Sequence, residues 1–204
     1  MGEVTEFFHV FKIKRLSNRH RKAFERFLSE LDEETCRNYS HFGYQLTCPS
    51  SIAAKVLNDV ADHMTDGYVA LKDSDVVGFG HLDRFEKKEK RHVVKLGIVI
   101  APGHRGKGVG RKLMEAIIDR ARQAGVKKIW LATYANNTRA LRLYRSLGFV
   151  TEGVFRKEEL VGRQYRDVVS MAIFLDGRTK RRTRANVGRS LTQSRLRNRL
   201  RDRS

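Results

Sequence analysis

The chain has 204 residues, enough for one well-buried domain with an appendage, and its 42 Lys/Arg against 23 Asp/Glu give a formal charge of +19. No run of about 18 apolar residues occurs and the N-terminus has no apolar core with a cleavage site, so neither a membrane span nor a secretory signal is expected. Cys36 and Cys48 lack C-x-x-C spacing and read as reduced thiols, pointing to the cytoplasm; the scattered histidines form no zinc constellation, so no metal is expected.

Residues 7–15 alternate well enough from Val10 to Ile13 for a first strand. Ser17-Asn18 then offers an N-cap, and Phe24, Phe27, Leu28 and Leu31 share one face of an amphipathic helix. The aromatic-rich piece from Tyr39 to Tyr44 has no clear period. A second helix is expected from Pro49-Ser50, with Ile52, Val56, Leu57, Val60 and Met64 on one stripe. Residues 68–71 and 76–82 read as strands around the turn composition Lys72-Asp73-Ser74-Asp75. A charged loop spans 84–91, and 92–101 is the central strand.

That strand ends in Ile98-Val99-Ile100, breaks at Pro102-Gly103, and passes through Gly106, Gly108 and Gly110 into a helical pattern. The stripe Val109, Leu113, Met114, Ile117, Ile118 and Ala121 runs to Gly125. Strand, glycine-rich turn and helix N-terminus together build an anion site from backbone. The first N–H groups of a helix have no intrahelical acceptor, and the dipole adds positive charge there. Glycine lets that backbone approach a phosphate closely, and Arg105 and Lys107 add full charges. The loop is not a Walker A motif, because no Gly-Lys pair is followed by Ser or Thr at the required spacing. Nor is it a Rossmann fingerprint: the glycines are spaced G-x-G-x-G, and the next strand ends in Ala132-Thr133-Tyr134 without a carboxylate for a ribose.

Residues 127–132 give the next strand and 138–147 the next helix, stopped by Gly148. Residues 149–158 and 166–174 form a hairpin around Val161-Gly162-Arg163. The order β α α β β β α β α β β predicts a single α/β domain built on one sheet.

Arg105-x-x-Gly108-x-Gly110 after Ile100-Ala101-Pro102 resembles the acyl-CoA loop of the GNAT superfamily of N-acetyltransferases. Downstream, Trp130-Leu131, Asn136-Asn137 and the run from Ala140 to Phe149 (ALRLYRSLGF) are similar to that family's second motif. The resemblance covers roughly residues 7–176. It implies a mixed, mostly antiparallel sheet, splayed at its centre and flanked by helices, with acetyl-CoA as co-substrate. The pyrophosphate would rest on residues Arg105, Gly106, Lys107, Gly108, Val109 and Gly110. The edge of Ile98, Val99 and Ile100 would pair with the pantetheine arm where the central strand diverges from the next. Asn137 matches a position that contacts the cofactor, although it equally suits a helix N-cap. Tyr144 matches the catalytic tyrosine: a phenol of pKa about 10 can protonate a departing thiolate.

A general base is harder to place. The two central strands, VVKLGIVI and KIWLAT, carry no carboxylate, which leaves His81, Asp83, Tyr134 and Tyr165 acting through water. Acceptor specificity is expected in the first 65 residues and in 157–165. Residues 178–204 hold eleven Lys/Arg against Asp202 alone, or +10, leaving +9 for the body. With three leucines, Val187 and no aromatic residue, this tail is expected to stay disordered in isolation. The boundary is placed at 1–176 for the domain and 177–204 for the tail. The expected activity is acetyl transfer to a primary amine of a protein N-terminus, a lysine or a small molecule. The alternative is a non-catalytic acyl-CoA-binding module whose tail contacts nucleic acid or the ribosome.

Overall fold

The computed structural model describes residues 11–33, 35–36 and 49–176. Expectations for residues 7–10, for the aromatic piece at 39–44, for Cys48 and for the tail lie outside this range. The described elements are β1 (Lys12–Arg15), α1 (Arg21–Ser29), α2 (Pro49–Ala61), β2 (Thr65–Lys72), β3 (Asp75–Arg84), β4 (Val93–Ile100), α3 (Val109–Gln123), β5 (Lys128–Tyr134), α4 (Thr138–Ser146), β6 (Val150–Val161) and β7 (Gln164–Phe174). The order is the expected one.

All seven strands form one sheet, ordered β1-β2-β3-β4-β5-β7-β6. Every neighbouring pair is antiparallel except β4 and β5. Alternation along the strands gives the sheet two apolar faces. On one face α1 and α2 bury Phe24, Phe27, Val56 and Leu57 against Val69, Phe79 and Val99. On the other, α3 and α4 bury Leu113, Met114, Ile117, Leu141 and Tyr144 against Leu96, Ile129, Leu131 and Met171. The same alternation puts Ile98 and Ile100 with the α3 and α4 group while Val99 joins the α1 and α2 group.

Four local expectations need correction. Ser17 does not open α1; it caps a short 3-10 turn over Asn18–His20, and α1 begins at Arg21. Helix α2 stops at Ala61, so Met64 leaves its stripe and is 43% exposed. His63, with φ 58°, redirects the chain into β2, which starts at Thr65 instead of Tyr68. Strand β6 runs on to Val161 through irregular register around Gly153 and between Phe155 and Glu159. Within that second irregularity Lys157 adopts φ 53°, and its N–H donates to the Asp167 carboxylate at 2.8 Å.

Candidate active site

Strands β4 and β5 pair only over Val93, Val94 and Lys95 against Lys128, Ile129 and Trp130. Beyond Lys95 and Trp130 they part, because β5 continues instead with β7 as far as Tyr134. Backbone groups of β4 that point toward β5 past this apex therefore lose their sheet partner. A cavity of about 310 Å³ fills the gap. Its walls include Ile98, Val99, Ile100, Ala132 and Thr133 from the two strands, and Ala140, Leu143 and Tyr144 from α4. Thr35, which follows α1, lines it too. Since α1 and α4 pack on opposite faces, the cavity is walled from both sides of the sheet.

Helix α3 starts where the cavity opens. Gly108 is its N-cap with φ 80°, and Gly106 has φ 76°, both left-handed conformations that a side chain resists. A Cβ at either glycine would meet nothing within 4 Å, so the loop backbone faces open space. The first intrahelical bond runs from Lys112 N–H to Gly108 O at 3.1 Å. The N–H groups of Val109, Gly110 and Arg111 thus have no acceptor within the helix. This is the electrostatics of an anion site at the end of a helix of 15 residues. Gly110 lines the cavity directly, whereas the Val109 side chain is buried against Phe11, Ala70 and Val77 and offers the site only its backbone.

Arg105 lines the cavity, but its side chain turns inward. Its Nε donates to Ile100 O at 3.2 Å, and its Nη2 donates to the Thr35 hydroxyl and lies 3.8 Å from Asp32. Asp32 in turn accepts from the backbone N–H and hydroxyl of Thr35 at 2.7 and 2.6 Å, bonds that hold its carboxyl below the usual range. Gly106, Lys107 and Gly108 sit in the loop beside the cavity and do not line it. Asn137 caps α4, its side chain accepting from Ala140 N–H at 3.2 Å, and it also lines the cavity.

Tyr144 is only 6% exposed and tilts against Phe149 at 5.9 Å between ring centroids, yet it lines the cavity. Burial pushes its phenol above the ordinary value, so the group stays protonated and can donate. No hydrogen bond ties up its hydroxyl among the described residues.

The candidate bases separate. Tyr165 is 62% exposed near the hairpin turn. His81 is fully buried, with Nδ1 2.9 Å from Asp83, and Asp83 also accepts from the Thr65 hydroxyl at 2.8 Å. Burial opposes the Asp83 charge, but the bonds from His81 and Thr65 outweigh it and hold the carboxyl below its usual range. Across from His81 lies Gly97, and a Cβ there would fall 2.1 Å from the His81 Nε2. Burial pulls the neighbouring Lys95 ammonium down, and Asp83 works against that. The Tyr134 hydroxyl donates to Glu159 at 2.7 Å. None of these four candidates lines the cavity; the carboxylates bonded to His81 and Tyr134 stand on β3 and β6, and β4 and β5 have none. Sequence reading missed Thr35, Thr133 and Arg139 in the cavity wall, and Glu159 as the partner of Tyr134. Only Arg139 and Thr133, flanking the Asn136-Asn137 motif, left a local signal. Among the described residues no group of His, Cys, Asp and Glu could hold a metal.

The chain is 34% identical over 90 residues to the L-amino acid N-acyltransferase MnaT of Escherichia coli, covering 44% of this chain and 52% of that protein. It is 38% identical over 77 residues to the spermidine N(1)-acetyltransferase of Vibrio cholerae, covering 37% and 44% respectively. The matched stretch spans about half the length of these curated relatives. Among solved structures, a ribosomal-protein-alanine N-acetyltransferase from Brucella melitensis superposes with TM-score 0.69 at 21% identity, over 80% of this chain and 99% of that one. An acetyltransferase from Salmonella typhimurium, solved with its cofactor acetyl-CoA, gives TM-score 0.68 at 19% identity over 83% and 96%. At such identities these structures establish the fold. The model of the acetyltransferase (GNAT) family matches residues 23–149, more than half of the sequence, and the chain belongs to that family.

Proposed function

We propose that this protein moves an acetyl group from acetyl-CoA to a primary amine by direct attack. The observation that carries the reading is the cavity at the β4–β5 apex, with the glycine-rich N-terminus of α3 at one side and a buried phenol in its wall. Acetyl-CoA fits these residues: the N–H groups of α3 and the loop at 105–110 suit the pyrophosphate, and the edge of Ile98, Val99 and Ile100 from which β5 has parted suits the amides of the pantetheine arm. Donors on that edge suit the oxyanion formed when the amine adds to the thioester carbonyl. As the tetrahedral centre collapses, Tyr144 donates its proton to the departing thiolate. Asp83 with His81, or Glu159 with Tyr134, would take the amine proton through water.

The similar proteins are named for L-amino acids, spermidine and the alanine of a ribosomal protein, so the shared motifs alone do not fix the acceptor. The proposal places the domain at 1–176, the compartment in the cytoplasm, and nonspecific nucleic-acid or ribosome contact on the tail. The test is thiol release from acetyl-CoA against a panel of amino acids, polyamines and peptides, alongside calorimetry of acetyl-CoA binding. Amine-dependent release is expected. Tight acetyl-CoA binding with no release on any amine would leave a binding module instead of an enzyme.

A further inference from the structure

A second cavity, of about 290 Å³, is lined by Phe85, Lys90, Val93, Lys128, Trp130 and Glu152. It lies at the same apex as the first, on the side where β4 and β5 are still paired. Trp130 is the last β5 residue in that pairing, and Ala132, two positions on, lines the first cavity. Strand alternation puts Lys128, Trp130 and Ala132 on one face of β5, and Val93 and Val99 on the matching face of β4. That face is opposite α3 and α4, because Ile129, Leu131, Val94 and Leu96 take the helix side. Trp130 in the one lining and Ala132 in the other are therefore about 7 Å apart along one strand face, at about 3.3 Å per residue.

The lining has a definite chemistry. The Trp130 Nε1–H donates to the Ser170 hydroxyl at 2.7 Å, which fixes the indole and leaves its ring as an apolar wall. Phe85 adds a second ring, with the Lys90 ammonium 4.8 Å from its centroid. Lys128 is matched by Glu152 at 2.7 Å, so this pair is close to neutral. The remaining charge in the lining is Lys90, carried on the exposed segment Glu86-Lys87-Lys88-Glu89-Lys90-Arg91, which holds four cations against two acids. An aromatic floor under a cationic rim suits an apolar group with an anion beyond it, and repels a polycation.

Resting on the acetyl-transfer reading above, we infer that the Trp130 cavity is the acceptor subsite, and that it selects peptide-like amines carrying an apolar or aromatic group next to the amine and a carboxylate about 10 Å from it. With the amine at the apex, the second residue of an extended peptide lies on Trp130, and the carboxylate of a third or fourth residue reaches Lys90. Polyamines lack both features.

Trp130 is the single tryptophan of the chain, so its fluorescence reports this cavity alone. The probes are tetrapeptide amides with an N-terminal Ala, Phe at the second position, and Asp or Lys at the fourth. With CoA present, the Asp peptide should shift Trp130 emission saturably, and its kcat/KM should exceed that of the Lys peptide about tenfold. Lys90→Glu, on an exposed turn outside the catalytic cavity, should abolish that preference without altering acetyl-CoA affinity. Turnover of both peptides at equal kcat/KM with unchanged emission would overturn the subsite while leaving acetyl transfer standing. Saturable emission with the Asp peptide but no turnover on any amine would keep the subsite and remove the enzyme.

Discussion

A phenol that must give up a proton as a thiolate departs works only while it is still protonated. The burial that raises the Tyr144 pKa above its ordinary value serves this requirement. The sign follows directly: an acid with a raised pKa keeps its proton to higher pH, so kcat should show no alkaline fall attributable to Tyr144 up to about pH 10. Tyr144→Phe retains the packing against Phe149 and deletes only the hydroxyl. It should lower kcat roughly 10- to 1000-fold with acetyl-CoA affinity little changed. Wild-type turnover in this variant would make Tyr144 a core residue only. Asp83 gives a stability prediction of the opposite sign. Its folded pKa is depressed, so its contribution is present above the unfolded value near 3.9 and is lost as pH falls through the folded one. Asp83→Asn should destabilise the fold by about 1–3 kcal/mol at neutral pH. In urea melts that deficit should shrink below about pH 4, and a deficit independent of pH would mean the carboxylate charge is not what the site uses.

Among the elements, the loop between β4 and α3 carries the cofactor argument. Gly108→Asp sets a Cβ at φ 80° and a negative charge in front of free helical N–H groups. Acetyl-CoA binding should weaken by at least ~2 kcal/mol, and calorimetry showing unchanged affinity in the folded variant would discard the anion site. This loop and α3 were legible in the sequence because their signals are local: a 3.6-residue stripe and glycines at fixed offsets. The strand order was not, since pairing partners are distant in the chain and the β4–β5 apex depends on which strand β5 prefers beyond Trp130. For the same reason Glu159 escaped notice, as it meets Tyr134 only because β6 returns beside β7 with broken register. The inward turn of Arg105 was also hidden, because its partners Asp32 and Thr35 lie some 70 residues away. Met64 failed for a smaller reason: one left-handed residue, His63, ended the helical period before it.

At the scale of the whole molecule, the charge divides into +10 on residues 178–204 and +9 on everything before them. Both cavities, the α3 N-terminus and Tyr144 are built from residues that precede Gly177, and β7 completes its pairing with β5 at Phe174. Removing 178–204 should therefore leave acetyl-CoA binding and basal turnover intact. Eleven cations without a single aromatic residue suit phosphate backbones better than base stacking. Full-length protein should accordingly bind RNA, DNA or ribosomes without sequence preference at low salt, and lose that binding steeply as salt rises, because each phosphate contact releases a counterion. The truncated protein should bind far more weakly in the same titration. Equal affinity with and without the tail would move the contact to the body, where the exposed cations beside the Trp130 cavity are available. Loss of acetyl-CoA binding on truncation would instead show that the tail docks on the catalytic domain, and that the boundary lies elsewhere than at 176.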